Sequence, residues 1–153
     1  MTQVATTLRS AYLAGPMRGI DEYNFPEFHK QAAWLRSMNW EVFSPAERDE
    51  ADPNIQRDVA GWADGLGLDY FMSHDLKAVC EADCVILLND WETSQGARLE
   101  AMVAVEISHP VLEIARHTLY RTRYLASVSN ARIASEFIAA TRAFDGLPIV
   151  SLV

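Results

Sequence analysis

Two short segments combine residue types and spacings suited to chemistry. One is Gly15-Pro16-Met17-Arg18-Gly19, directly after the apolar run 11–14; the other is Ser94-Gln95-Gly96-Ala97-Arg98-Leu99-Glu100, shortly after the apolar run 84–88. In the second segment Ser94 is placed to cap a helix, and Gly96 lets a ligand approach the backbone closely. The first-turn N–H groups and the positive end of the helix dipole form a site for an anion such as the phosphate of a sugar phosphate. Glu100 follows Gly96 by four residues and so falls on roughly the same helical face, beside that anion site. On spacing alone two readings stay open: a reactive carboxylate, or a glutamate favoured near a helix N-terminus by the dipole and otherwise inert. Arg18 is a natural countercharge for a phosphate, or else a solvated surface arginine. Asp75 reads from sequence alone as a helix cap before Leu76.

The elements that must carry these residues follow from punctuation and period. Residues 11–14 read as a first strand ending in the turn Gly15-Pro16. Residues 25–38 read as a helix, with Phe28, Ala32, Leu35 and Met38 at helical spacing and Asn24 as its cap. Residues 40–43 form a second strand closed by Ser44-Pro45. Residues 46–68 are charged and hold Pro53, Gly61, Gly65 and Gly67, so they read as a long connection with one short helix around 55–63. A helix over 69–82, a buried strand over 84–88, a helix over 96–108 and a strand over 110–115 follow. Past His117 the pattern weakens, with a helix expected over 131–144 and a last strand over 147–153. This alternation predicts an open, flavodoxin-like α/β fold of about five parallel strands with helices on both faces. Both chemical segments then lie at the carboxyl edge of the sheet, where such folds bind ligands.

Composition bounds the rest. With 153 residues, 50% of them hydrophobic, the chain is expected to form a single domain over 1–153. Acidic residues outnumber basic ones 21 to 13, a formal charge of −8, which argues against a general nucleic-acid or anionic-membrane surface. The first ten residues lack a signal-peptide apolar core and no apolar run suffices for a bilayer span, so a soluble cytoplasmic protein is expected. Cys80 and Cys84, the only cysteines, are expected to be buried thiols; no Cys/His cluster completes a metal site. Arg98, two residues from Glu100, points elsewhere on a helix and suits a surface or subunit contact. His74 has no partner at metal-ligand spacing, and His29, His109 and His117 read as surface residues. Phe25, Phe28, Trp34, Trp40 and Phe43 read as core, whereas Trp62 and Trp91 lie in loop-like stretches from which either could cover a ligand.

The segments 12–19, 75–83, 84–88 and Ser94-x-Gly96-x-x-x-Glu100, in this order and spacing over residues 11–115, resemble the nucleoside 2-deoxyribosyltransferase superfamily. Within it the chain looks most like the 2'-deoxynucleoside 5'-monophosphate N-glycosidases. The resemblance implies that Glu100 is the nucleophile that attacks C1' of the sugar and forms a glycosyl ester. It implies that Asp75 helps the leaving base or orients the sugar, and that Gly15, Met17, Arg18 and Gly19 wrap the nucleotide. Tyr12 matches a family tyrosine by analogy, or is simply an aromatic residue in a buried strand. In the superfamily's transferases the position of Ser94 is usually aspartate; serine there implies a 5'-monophosphate substrate, because a second carboxylate would repel the phosphate. Pro16 departs from the hydrolases, which often show serine, and removes a hydroxyl and an N–H from the loop. The chemistry so implied requires no metal or organic cofactor. The implied partners are a small-molecule nucleotide and further copies of the chain, as a homodimer or larger assembly, with segment 127–130 reaching a neighbour's pocket. A base-exchanging transferase, a non-catalytic nucleotide-binding module and an NAD-directed glycosidase are the alternatives.

Overall fold

A computed structural model describes residues 8–55, 66–115 and 118–121. Strand β1 (Ser10–Ala14) leads through helix α1 (Phe25–Ser37) to β2 (Glu41–Phe43), and helix α2 (Pro45–Ala51) follows at once. Helix α3 (Leu68–Glu81), β3 (Cys84–Leu87), α4 (Gln95–Glu106), β4 (Val111–Ala115) and β5 (Thr118–Arg121) complete the described order. The five strands form one sheet in the order β2-β1-β3-β4-β5. The pairs β1–β2, β1–β3 and β3–β4 are parallel and β4–β5 is antiparallel. The expected flavodoxin-like α/β sheet is therefore present. Its antiparallel edge follows from the connection: only two residues separate β4 from β5, too few for a parallel crossover.

Burial on both faces explains why β1 and β3 read as uninterrupted apolar runs, since every residue of both strands is buried. Strand alternation sorts their side chains. Ala11 and Leu13 face α1, joining Phe28, Ala32 and Leu35 in one core layer. Tyr12 and Ala14 face the other way, joining Val79 of α3 and Ala97, Ala101 and Ala104 of α4. Full burial of a Leu or Phe in these layers contributes roughly 1.5–3 kcal/mol. At the amino edge, Asp83 Oδ2 accepts from the backbone N–H groups of Arg9 and Ser10 at 2.8 and 2.9 Å, pinning β1 to the turn before β3.

Several local expectations change. Asn24 precedes α1 but its side chain does not cap it; in a left-handed conformation it donates from Nδ2 to Pro16 O at 2.9 Å. That bond ties the start of α1 to the loop after β1. The connection after β2 begins with a helix at residues 45–51 rather than in the expected range, because Pro45 sits in its first turn and favours initiation there. The expected helix around 55–63, the helix over 131–144, the strand over 147–153 and segment 127–130 lie largely or wholly outside the described residues. Cys84 is buried but Cys80 is exposed, as it falls on the solvent side of α3. His109 is half-buried rather than a surface residue, while His117 and Trp62 lie outside the described residues. No helix among the described residues is long and apolar enough to cross a membrane.

Candidate active site

The chain runs from β1 to β2 on one side and later to β3 on the other, so the order of strands reverses between β1 and β3. Open α/β sheets leave a crevice at the carboxyl ends of such neighbours. Here the loop after β1 and the turn entering α4 frame a cavity of about 270 Å³, to which α2 and α3 also contribute. Gly15, Met17, Arg18, Ser94, Gly96, Asp75 and Glu100 all line it. Gly19, at φ +78°, makes the turn that follows but is not among the lining residues. At Gly15 a Cβ would stand 2.9 Å from Leu88 Cβ, so only glycine lets this loop leave the sheet so close to the end of β3.

Helix α4 places Glu100 inside its own apolar stripe, between Ala97, Ala101 and Ala104, where its side chain is buried. Strand β1 supplies the partner: Tyr12 Oη donates to Glu100 Oε1 at 2.9 Å, beneath the cavity. Helix α3 places Asp75 in the same manner, among Phe71, Met72 and Val79. Asp75 therefore lies in the helix interior and does not cap it. Ser94 does cap α4, its Oγ accepting from Ala97 N–H at 3.2 Å. By the geometry of a helix start, the N–H groups of Gln95 and Gly96 have no intrahelical acceptor, and both residues line the cavity.

Two residues that sequence reading missed come from α2. Asp49 is buried in the cavity wall, and Arg48 Nη2 contacts Asp49 Oδ1 and also lies 3.5 Å from Asp75 Oδ1. Three buried carboxyls thus share a small region with one guanidinium. Burial pushes the Glu100 carboxyl well above the usual range, and the charge of Asp75 adds to this, while the Tyr12 hydroxyl and Arg48 act against it. Burial likewise raises Asp75 to about 6 and Asp49 to about 7, opposed in both by Arg48. Burial, followed by the charges of Glu100 and Asp75, also raises the Tyr12 phenol, so Tyr12 stays a hydrogen-bond donor at neutral pH.

The remaining wall is apolar, with Ile20, Tyr23, Leu68, Phe71 and Met72. Arg18 lines the cavity with its guanidinium 5.5 Å from the centre of the Phe71 ring, and its Nη2 donates to Leu66 O at 3.0 Å. Trp91 does not cover the cavity: it is buried against the α3/α4 face, and its Nε1 donates to Glu113 Oε1 at 3.0 Å. Arg98 is turned from Glu100, donating to Glu92 O at 2.7 Å, and His74 contacts Ser73 and Tyr70 outside the cavity. His29 is half-exposed and joins α1 to α2 through Glu50 at 2.9 Å. Among the described residues no group of three or more His, Cys, Asp and Glu is arranged to hold a metal ion.

Fold and site together define a doubly wound α/β protein with a carboxylate-lined crevice at its switch point. The chain belongs to the family described as a domain of unknown function, DUF4406, whose model matches residues 9–113. Among solved structures it is similar in fold to a 2-deoxyribosyltransferase from the psychrotolerant bacterium Bacillus psychrosaccharolyticus. The two are 21% identical, the match covers 68% of this chain and 70% of the other, and the TM-score is 0.50. No curated protein matches the chain.

Proposed function

We propose that this protein hydrolyses the N-glycosidic bond of a (deoxy)nucleoside 5'-monophosphate, releasing the base and the sugar 5-phosphate. The observation that carries this is the placement of Glu100: a buried carboxyl in the wall of a cavity whose rim is the N-terminus of the same helix. A sugar bound with its phosphate at Ser94 and Gly96 has its reacting carbon within a turn or so of helix from Glu100.

In this reading a Glu100 oxygen attacks C1', the C1'–N bond breaks, and its electron pair leaves with the base, which takes a proton from Asp75. Water then attacks C1' and gives a proton to the Asp75 carboxylate as the glycosyl ester breaks, so that Glu100 and Asp75 are both regenerated. Two buried carboxyls in the wall of one cavity do not both ionise readily, so the pair retains a proton. Positive charge developing at C1' works against the burial that keeps Glu100 protonated, favouring its ionised form and shifting the shared proton to Asp75. The Tyr12 hydroxyl favours the ionised form of both Glu100 and Asp75, and so steadies whichever of them carries the charge. Arg18 is assigned to the phosphate. Pro16 contributes no N–H to that loop, so the phosphate site leans on Arg18 and the start of α4.

A base-exchanging deoxyribosyltransferase is the second reading, favoured by the shared fold with such an enzyme. It uses the same Glu100 and Asp75 but delivers the sugar to a second base. Because a fold hosts many activities, the deciding experiment is direct. The protein is incubated with deoxy- and ribonucleoside monophosphates and free nucleosides, with and without a second base, and products are separated by chromatography. Base release from monophosphates alone, unchanged by added base, is expected; a new nucleoside appearing only with added base would replace hydrolysis by transfer.

A further inference from the structure

Arg48 has no part in the reaction as described, yet its contacts are unusual. A structural arginine generally meets one carboxylate with its two-pronged fork. Here a single nitrogen, Nη2, stands between Asp49 Oδ1 and Asp75 Oδ1, while Nε and Nη1 are buried and bond to no described group. The guanidinium carbon is 5.9 Å from the centre of the Phe71 ring, against which Arg18 also lies. Phe71 and Asp75 are both on α3, one turn apart, so Arg48 of α2 is fixed against the helix face that lines the cavity.

We infer that Arg48 is a positioning residue, which rests on the N-glycosidase reading above: shared between Asp49 and Asp75, its guanidinium orients Asp75 in the cavity wall and supplies the positive charge that lets Asp75 and Glu100 occupy one pocket. The titratable groups about the pair are Tyr12 of β1, Arg18 and Tyr23 in the cavity wall after β1, Asp49 of α2 with Asp52 just beyond it, and His74 of α3 next to Asp75. Among those that act on Glu100, Arg48 is the cation, and Asp49 and Asp75 oppose it. Asp49 therefore acts as a competitor: by holding one side of Nη2 it limits how far Arg48 neutralises Asp75. Removing Arg48 and removing the charge of Asp49 should move the Glu100 midpoint in opposite directions, and a positioning role, unlike a purely structural one, should carry those shifts into the pH profile of kcat/KM.

The test is a carbon-13 NMR titration of the side-chain carboxyls in the full chain, with Glu100 and Asp75 assigned from the spectra of Glu100→Gln and Asp75→Asn. In Arg48→Met both midpoints should rise by about one pH unit or more, the size typical of losing an opposite charge within a few ångströms. Arg48→Lys should restore much of the difference, and Asp49→Asn should lower the Glu100 midpoint. Unchanged midpoints in a folded Arg48→Met protein, or a rise with Asp49→Asn, would overturn the assignment. If Arg48→Met does not fold, Asp49→Asn decides by itself, and an unmoved Glu100 midpoint refutes the role. Where base release is measurable, the acid limb of kcat/KM should follow the midpoints. Shifted midpoints in a protein that releases no base would sink the N-glycosidase reading and leave Arg48's role standing. Base release with unshifted midpoints would do the reverse.

Discussion

Asp75→Asn tests the electrostatics of the pocket without requiring any substrate. Asp75 is buried and its carboxyl is raised from 3.8 to about 6, chiefly by desolvation. A group whose folded-state value lies above its unfolded one binds its proton more tightly in the native protein. Its contribution to stability is therefore complete below the unfolded value and is lost as pH rises through about 6. The span corresponds to a loss on the order of 3 kcal/mol in the wild type. Asparagine keeps the shape and an oxygen facing Arg48 Nη2 but does not titrate, so the variant escapes this loss. Glu100 adds to the effect with the same sign, because the charge of Asp75 is one cause of its raised value. Urea denaturation at intervals from about pH 4 to 8 should show the stability of Asp75→Asn, relative to wild type, improving by about 2.5 kcal/mol across that range. A relative stability that stays flat, or that falls with rising pH, would refute the view that burial governs this carboxyl.

Glu100→Gln should abolish base release while nucleotide binding persists, since the amide cannot form the ester; it should also remove part of the stability lost with rising pH, read in the same denaturation series. Ser94→Asp retains an N-cap acceptor, so the fold should hold while kcat/KM drops more for monophosphates than for free nucleosides; equal losses would detach Ser94 from phosphate. Arg18→Ala should raise KM for monophosphates about ten-fold or more, with a smaller effect on nucleosides and a reduced salt dependence of binding; unchanged monophosphate kinetics would move the phosphate away from the first loop.

Much of the architecture was legible because β1 and β3 are buried on both faces and so appear as plain apolar runs, each ending in turn residues. The α4 start was legible for a local reason, as Ser94 is a side-chain cap and caps declare themselves in sequence. What escaped reading depends on tertiary context. Helix α2 is charged over most of its length and shows no long apolar period, so Arg48 and Asp49 looked like part of a solvated connection. Trp91 sits in a polar stretch yet turns inward, and nothing local distinguishes that from a loop aromatic facing a ligand. The short β5 becomes a strand only by pairing with the edge of β4.

A shared pattern nevertheless marks the site. Glu100 stands between Ala97 and Ala101, Asp75 lies four residues from both Phe71 and Val79, and Asp49 falls three residues after Ala46, each in the buried register of its helix. An acidic residue in an apolar stripe is unfavourable unless paired; Asp49 and Asp75 share Arg48, whose charge also acts on Glu100. All three carboxyls are raised, so at neutral pH their burial weakens the fold. Well-packed apolar side chains would serve stability better. Three helices therefore bring destabilising acids to one crevice at the sheet's switch point, beside a helix N-terminus suited to an anion. Such a concentration of perturbed groups is expected where protons and a nucleophile must be held ready, and a pH profile of base release that follows the shifts of Arg48→Met and Asp49→Asn would distinguish a catalytic pocket from a structural ion cluster.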